Sequence, residues 1–175
     1  MSPWALRPAR AEDEPFLHDL YASTRAGEMA LVDWSEPQKE SFLRMQFEAQ
    51  RSFYTGQFRT ARFDIIEQAQ QAIGRFYVDR GESEIRVIDI ALLPAFRQRG
   101  IGTMLMQSVI NEAVQTGKPV TIHVEQFNPA MRFYQRLGFQ PVCLEGMHWL
   151  MEWWALSGAR AAPRPIGSPP HVHSL

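Results

Sequence analysis

One short stretch of the chain, Arg97-Gln98-Arg99-Gly100-Ile101-Gly102, holds the residue types that a phosphate needs. It joins an Ile- and Val-rich run to a run with helical spacing. The first turn of a helix carries unpaired N–H groups and the positive end of the dipole. Glycines let an anion approach that backbone closely, where side chains would stand in the way. Arg97 and Arg99 add positive charge nearby. The stretch is a candidate pyrophosphate cradle. From the glycines alone, a plain turn between strand and helix reads equally well. Two other phosphate motifs are excluded. A P-loop requires Gly-Lys-Ser/Thr after an earlier glycine, but Gly117-Lys118 is followed by Pro119, and position 112 is Glu. A dinucleotide fingerprint requires a third glycine three residues after Gly102, and that position is Leu105.

Other reactive groups are few. Along Val120-Thr121-Ile122-His123-Val124-Glu125, strand alternation puts His123 and Glu125 on one face and Ile122 and Val124 on the other. Cys143 lies in the apolar run Val142-Cys143-Leu144, away from any helix start or base, so an inert thiol is expected. An acyl-cysteine route is correspondingly disfavoured. As the single cysteine it forms no intrachain disulfide and no cysteine metal cluster, which fits a reducing compartment. His171 and His173 lack a third ligand and a supporting shell, so no metal site is expected.

The elements that must position these groups follow from periodicity. Trp4–Pro8 reads as a short strand. Phe16, Leu17, Leu20 and Tyr21 give one apolar helical face, with Glu12, Asp13 and Glu14 at its favourable end. A second helix is expected from about Pro37 to Tyr54, with Phe42, Met45, Gln46, Ala49 and Phe53 on a stripe and Pro37 in the first turn. Strands Ala61–Glu67, Ala72–Asp79 and Glu84–Leu92, joined by turns at 68–71 and 80–83, read as an antiparallel meander. Gly102–Thr116 is helical, with Leu105, Val109, Ile110 and Ala113 at core spacing and Gly117 closing it. Val120–Glu125 is a strand and Pro129–Leu137 a helix closed by Gly138. Strands near Gln140–Leu144 and His148–Trp153 finish the series. The order β-α-α-β-β-β-α-β-α-β-β specifies an α+β fold, or mixed α/β.

Composition narrows the class. The chain has 175 residues, 45% hydrophobic and 21% charged, which suits one globular domain over residues 1–157. The segment 158–175, rich in Pro, Ala and Gly, cannot bury enough apolar surface to order itself and is expected to be a mobile tail. The formal net charge of −1 argues against a nucleic-acid or membrane surface. No apolar run approaches the roughly 20 residues of a membrane span, and the first residues have no secretory pattern. A cytoplasmic protein is expected.

Two stretches carry a family resemblance. Arg97-x-x-Gly100-x-Gly102, after Asp89-Ile90-Ala91-Leu92-Leu93-Pro94, resembles motif A of the GNAT family of N-acetyltransferases. Asn128-Pro129-Ala130-Met131-Arg132-Phe133-Tyr134-Gln135-Arg136-Leu137-Gly138-Phe139 resembles its motif B. The motifs occur in the family's order and spacing, and the resemblance covers residues 4–154. It implies a central mixed, mostly antiparallel sheet, splayed at a cofactor slot beside Val120–Glu125 and flanked by helices. It implies transfer of an acetyl group from acetyl-CoA directly to an amine of a small molecule or peptide, with no metal. Gln98, Arg99, Gly100, Ile101, Gly102 and Thr103, with Arg97, would take the pyrophosphate. The backbone of Ile90, Ala91, Leu92 and Leu93 would pair with the pantetheine arm, and Asn128 would hydrogen-bond it. Tyr134 would be the general acid toward the departing thiolate. His123, Glu125 or Asp89 would be the base, or a bound water. In several relatives the Asn-to-Tyr spacing is seven residues; here it is six, which suggests a shorter turn before the helix.

The first helices and their loop, including Met29, Asp33, Trp34, Gln50 and Tyr54, would form the acceptor pocket. Trp34 would line or lid it. The alternative activity is a catalytically silent CoA-binding or assembly module of the same fold, with exposed Trp149, Trp153 and Trp154 as a possible homodimer face.

Overall fold

A computed structural model describes residues 4–155. The expected tail at 158–175, with His171 and His173, lies outside the described residues. The strands are β1 (Ala5–Pro8), β2 (Arg62–Gln68), β3 (Gln71–Arg80), β4 (Ile85–Leu92), β5 (Val120–Glu125), β6 (Gln140–Glu145) and β7 (His148–Trp153). The helices are α1 (Glu14–Met29), α2 (Glu36–Gln57), α3 (Ile101–Thr116) and α4 (Met131–Arg136). The seven strands form one sheet in the order β1-β2-β3-β4-β5-β7-β6. Only β4 and β5 pair in parallel among the registered ladders, at Ile85↔Val120, Arg86↔Thr121 and Val87↔Ile122. The fold is α+β, as the order of elements implied, with the mixed, mostly antiparallel sheet that the family resemblance implied.

The described residues gather into two compact units. The first holds the residues up to Tyr77 together with Asp89–Arg99. Here β1 runs antiparallel to β2, from Ala5↔Glu67 to Pro8↔Asp64. Leu17, Leu20 and Tyr21 on α1 and Leu43 and Phe47 on α2 are buried with Ile65, Ile66 and Ile73 of the strands. Arg7 ties the edge together, donating to Asp13 at 2.7 Å and to Glu67 at 2.6 Å. The second unit holds Val78–Ile88 and the described residues from Gly100 onward. In it α3 buries Leu105, Met106, Val109, Ile110 and Ala113, the spacing read from the sequence. The strand β7 lies between β5 and β6, antiparallel to both, with Glu125↔His148 and Glu145↔His148 in register.

The structure moves several boundaries. The helix α2 begins at Glu36, where Gln38 Oε1 accepts from both the N–H and the hydroxyl of Ser35, and it runs to Gln57. Its buried stripe is Leu43 and Phe47; Met45 and Ala49, read as core, are exposed. The turn between β2 and β3 is two residues, Ala69 and Gln70, rather than four. Both have positive φ, 49° and 65°, the geometry of a tight hairpin that normally selects Asn-Gly. Without those residue types the sequence gives no signal for it. The helix α4 is shorter than the expected 129–137. Trp149, Trp153 and Trp154 are half-buried rather than exposed. Trp153 packs on Gly138, where a Cβ would sit 3.2 Å from its Nε1.

Candidate active site

The loop from β4 to α3 has the backbone that an anion cradle needs. Gln98 and Gly100 have positive φ, 60° and 79°. Such angles are rare for a residue with a side chain and easy for glycine. The first helical bond of α3 runs from Met104 N–H to Gly100 C=O at 3.0 Å. The N–H groups of Ile101, Gly102 and Thr103 therefore precede any i−4 acceptor and point out of the helix start. Ile101 is buried and fixes that start in the second unit's core. A Cβ built on Gly100 meets nothing within 4 Å. Open space beside unpaired N–H groups is what a diphosphate requires, so these residues fit the group that the sequence implies.

The arginines of the loop are placed differently. Arg97 turns back: its Nε donates to Leu92 C=O at 2.8 Å and its Nη2 lies 3.4 Å from Ser23 Oγ. It braces the end of β4 against α1. Arg99 lies over the Phe96 ring, 5.3 Å from the centroid. The C-terminal half of β4 is held by β3. Leu93 N–H bonds to Ile73 C=O at 2.9 Å. At Gly74, read from the sequence only as a glycine within a strand, a Cβ would lie 2.4 Å from Ala91 C=O and 2.8 Å from Leu92 Cδ2. The close approach of these backbones requires glycine.

The candidate bases differ in how they are held. Asp89 Oδ2 accepts from Arg75 Nη2 at 2.7 Å and from the Tyr54 hydroxyl at 3.1 Å. Burial works hardest against the Arg75 charge, but Asp89 together with the Tyr77 and Tyr54 phenols outweighs it, so Arg75 stays a cation. Burial, and then the Asp89 carboxylate, push the Tyr54 phenol well above its usual 10. Asp89 is thus one half of a buried ion pair. In the second unit His123 is clamped from both sides. Its Nε2–H donates to Glu145 Oε2 at 2.8 Å, and Arg86 donates to its Nδ1. Burial first, then Arg86, lower its pKa below 6.5, with Glu145 opposing. The imidazole is neutral at pH 7, with its lone pair committed to Arg86. Glu125 shares the face of β5 with His123, as alternation required, and its carbonyl accepts Asn128 N–H at 3.0 Å.

Asn128 Oδ1 accepts Ala130 N–H at 2.9 Å, shaping the turn into α4 and leaving its amide NH₂ to donate elsewhere. Tyr134 is 6% exposed; its ring packs edge-on to Phe133 and Phe139, with centroids at 5.1 and 6.0 Å. Cys143 Sγ lies 3.5 Å from Glu145 Oε1, and burial and that carboxylate raise its pKa. The thiol is therefore protonated and unreactive, although the carboxylate beside it was not visible in the sequence. Of the expected acceptor residues, Gln50 and Tyr54 line a cavity of the first unit, whereas Trp34 is 41% exposed and rests against Phe42.

The sequence reading missed Arg75, Arg86 and Glu145. Arg75 carried a signal: a charge inside the apolar run Ile73–Val78 must find a partner if buried.

A model of the acetyltransferase (GNAT) family matches residues 17–139. The PaiA N-acetyltransferase of Thermoplasma acidophilum, solved with coenzyme A, aligns with a TM-score of 0.65 at 18% identity, over 89% of this chain and 100% of that one. A GNAT family acetyltransferase of Elizabethkingia anophelis with acetyl-CoA bound aligns with a TM-score of 0.52 at 17% identity, over 89% of this chain and 100% of that one. At these identities the likeness shows the fold. The cysteine-rich protein 2-binding protein of Mus musculus is 35% identical over 69 residues, 39% of this chain and 9% of that protein; the Homo sapiens protein matches to the same extent. This chain thus spans a small part of those relatives.

Proposed function

The chain belongs to the acetyltransferase (GNAT) family, and from that premise we propose that it moves an acetyl group from acetyl-CoA directly to an amine of a small molecule or peptide. The observation that carries the reading is the start of α3. Its first-turn N–H groups precede the first helical bond and follow a left-handed Gly100, with open space where a side chain would stand. Gln98, Arg99, Gly100, Ile101, Gly102 and Thr103 would hold the pyrophosphate through their backbone. Arg97, whose Nε donates to Leu92 C=O and whose Nη2 lies near Ser23 Oγ, would brace the loop beside the phosphates and add its charge there. The backbone of Ile90, Ala91, Leu92 and Leu93 would align the pantetheine arm, and the Asn128 NH₂ would donate to it. The bound cofactor supplies an acetyl thioester.

Tyr134 would hold the proton that the departing thiolate takes up. A phenol near pKa 10 facing a thiolate near 8.5 is suited to that donation. A lysine-like amine, mostly charged at neutral pH, must lose a proton before it attacks. Asp89 is paired with Arg75, and both ring nitrogens of His123 are engaged. Glu125, a carboxylate on the face of β5 that it shares with His123, is the base in this proposal, with His123 and Asp89 as the alternatives.

The test is calorimetric titration with acetyl-CoA, with ATP and NADH as controls, followed by thiol release with a panel of amines. Selective binding and amine-dependent release of CoA support the reading. Binding without release by any amine returns the silent module, and no binding by the folded protein makes the loop structural.

A further inference from the structure

Gln50 and Tyr54, expected in the acceptor pocket, belong to a cavity of about 270 Å³ that lies within the first unit. Helices α1 and α2 and strands β2 and β3 supply its walls. The strand β3 that brings Arg75 and Tyr77 to it also carries Ile73, whose C=O accepts Leu93 N–H, and Gly74, which lies against Ala91 C=O. Tyr54 and Arg75 both donate to Asp89, the residue before Ile90. The cavity is therefore walled by the elements that hold residues 90–93, the stretch that the pantetheine arm would follow.

Its lining selects by shape and by charge. Leu17, Phe47, Phe63 and the rings of Tyr54 and Tyr77 make it apolar and aromatic. Tyr77 stands edge-on to Phe63 and to Tyr54, with centroids at 4.9 and 6.2 Å. A flat ring adds to such a set more favourably than a flexible chain does. The ionic groups are already matched. Arg75 is buried and bonded to Asp89, Gln50 and Tyr77. Glu14 is the one carboxylate among the described lining residues, and Arg51 pairs with it. The Arg10 side chain reaches the lining as well. A reacting amine sheds its charge, but a second ammonium on the same molecule keeps its own. Here that second cation meets three guanidiniums and finds no carboxylate left for it.

We propose, resting on the acetyl-transfer reading, that the acceptor is a primary monoamine on a short arm from an aromatic ring. The ring lies among Phe47, Phe63 and Tyr77. Polycationic acceptors are turned away by the arginines. Phe63 sets the preference for a ring, and Arg51 sets the preference for a single charge by occupying Glu14.

The test uses the full chain with four amines: phenethylamine, hexylamine, putrescine and spermidine. Thiol release from acetyl-CoA gives kcat/KM for each, and calorimetry gives the binding of each to the chain loaded with CoA. Phenethylamine is expected to exceed hexylamine about tenfold, the worth of an added aromatic contact. It should exceed putrescine and spermidine by about a hundredfold or more, the cost of an unmatched like charge. Phe63→Leu should bring phenethylamine down to the level of hexylamine. Arg51→Ala frees the Glu14 carboxylate and should raise kcat/KM for putrescine about tenfold. Acetyl-CoA affinity should be unchanged in both variants. The proposal is overturned if hexylamine, putrescine or spermidine matches phenethylamine, if Phe63→Leu keeps the parent's preference, or if Arg51→Ala gains nothing with putrescine. A non-aromatic amine that outperforms phenethylamine overturns the acceptor class and leaves acetyl transfer standing. Acetyl-CoA that fails to bind the folded chain overturns transfer, and the acceptor class with it.

Discussion

Arg86 and Glu145 occupy both ring nitrogens of His123, and that changes what a histidine on this face can do. Protonation at Nδ1 would cost the Arg86 bond and place two cations together. His123→Ala should therefore leave the acidic limb of the pH profile of kcat/KM in place, whereas Glu125→Gln should remove it and lower turnover about 10²-fold or more, the usual worth of a general base. An acidic limb lost with His123 and kept without Glu125 would reverse the assignment. Tyr134→Phe should lower turnover by a similar factor, about 10²-fold, while calorimetry shows acetyl-CoA affinity unchanged. Equal turnover in that variant would remove the phenol from the chemistry.

At the scale of elements, the loop before α3 and the pairing of β3 with β4 carry opposite expectations for glycine. Gly100 has open space around its missing Cβ but a left-handed backbone. Gly100→Glu should cost about 1–2 kcal/mol of stability from the conformation alone, and it should abolish acetyl-CoA binding by placing a carboxylate where phosphate oxygens belong. Gly74 is hemmed in by Ala91 C=O. Gly74→Val should cost stability at the upper end of the overpacking range, about 3 kcal/mol, read as a lower urea midpoint. A folded, unweakened Gly74→Val protein would mean that β3 and β4 are not held as closely as described.

Across the whole molecule, the perturbed groups that respond to acid act in one direction. His123 has a folded pKa below its ordinary 6.5, so the unfolded chain binds the proton first as pH falls. Its contribution is present above 6.5 and is lost as pH falls through the lower folded value. Asp13 is held below its ordinary 3.8, chiefly by the Arg7 hydrogen bond. For Glu145 burial pulls upward, but the hydrogen bonds from His123 and Cys143 and the charges of His123 and Arg86 together prevail, so it lies below 4.5. Both contributions are lost further into acid. Stability should be flat near neutrality, fall from about pH 6.5 downward, and fall again below about pH 4. Denaturant midpoints across pH 3–8 check this, and His123→Ala should remove the first decline and shrink the part of the second that Glu145 contributes, leaving the Asp13 part in place.

The amino-acid sequence by itself determined the elements and the chemistry that is local to them. Glycines beside arginines at a helix start are a property of six consecutive residues. The alternation that puts His123 and Glu125 on one face needs only the strand period. The core face of α3 was legible for the same reason, since Leu105, Val109, Ile110 and Ala113 repeat with the helix. Helix α2 was less so: Met45 and Ala49 are apolar or small yet exposed, because α2 turns Leu43 and Phe47 inward, and periodicity does not choose between neighbouring stripes. Tertiary structure alone decided the partners. Arg75 meets Asp89 across 14 residues, Arg86 meets His123 across 37, and Glu145 reaches His123 across 22. Strand alternation gives a residue its face but not its neighbour. The neighbour depends on which strands pair and in what register, and here β7 lies between β5 and β6. A buried charge then takes whatever counter-charge that register supplies, because leaving it unpaired costs more than any local preference can offset.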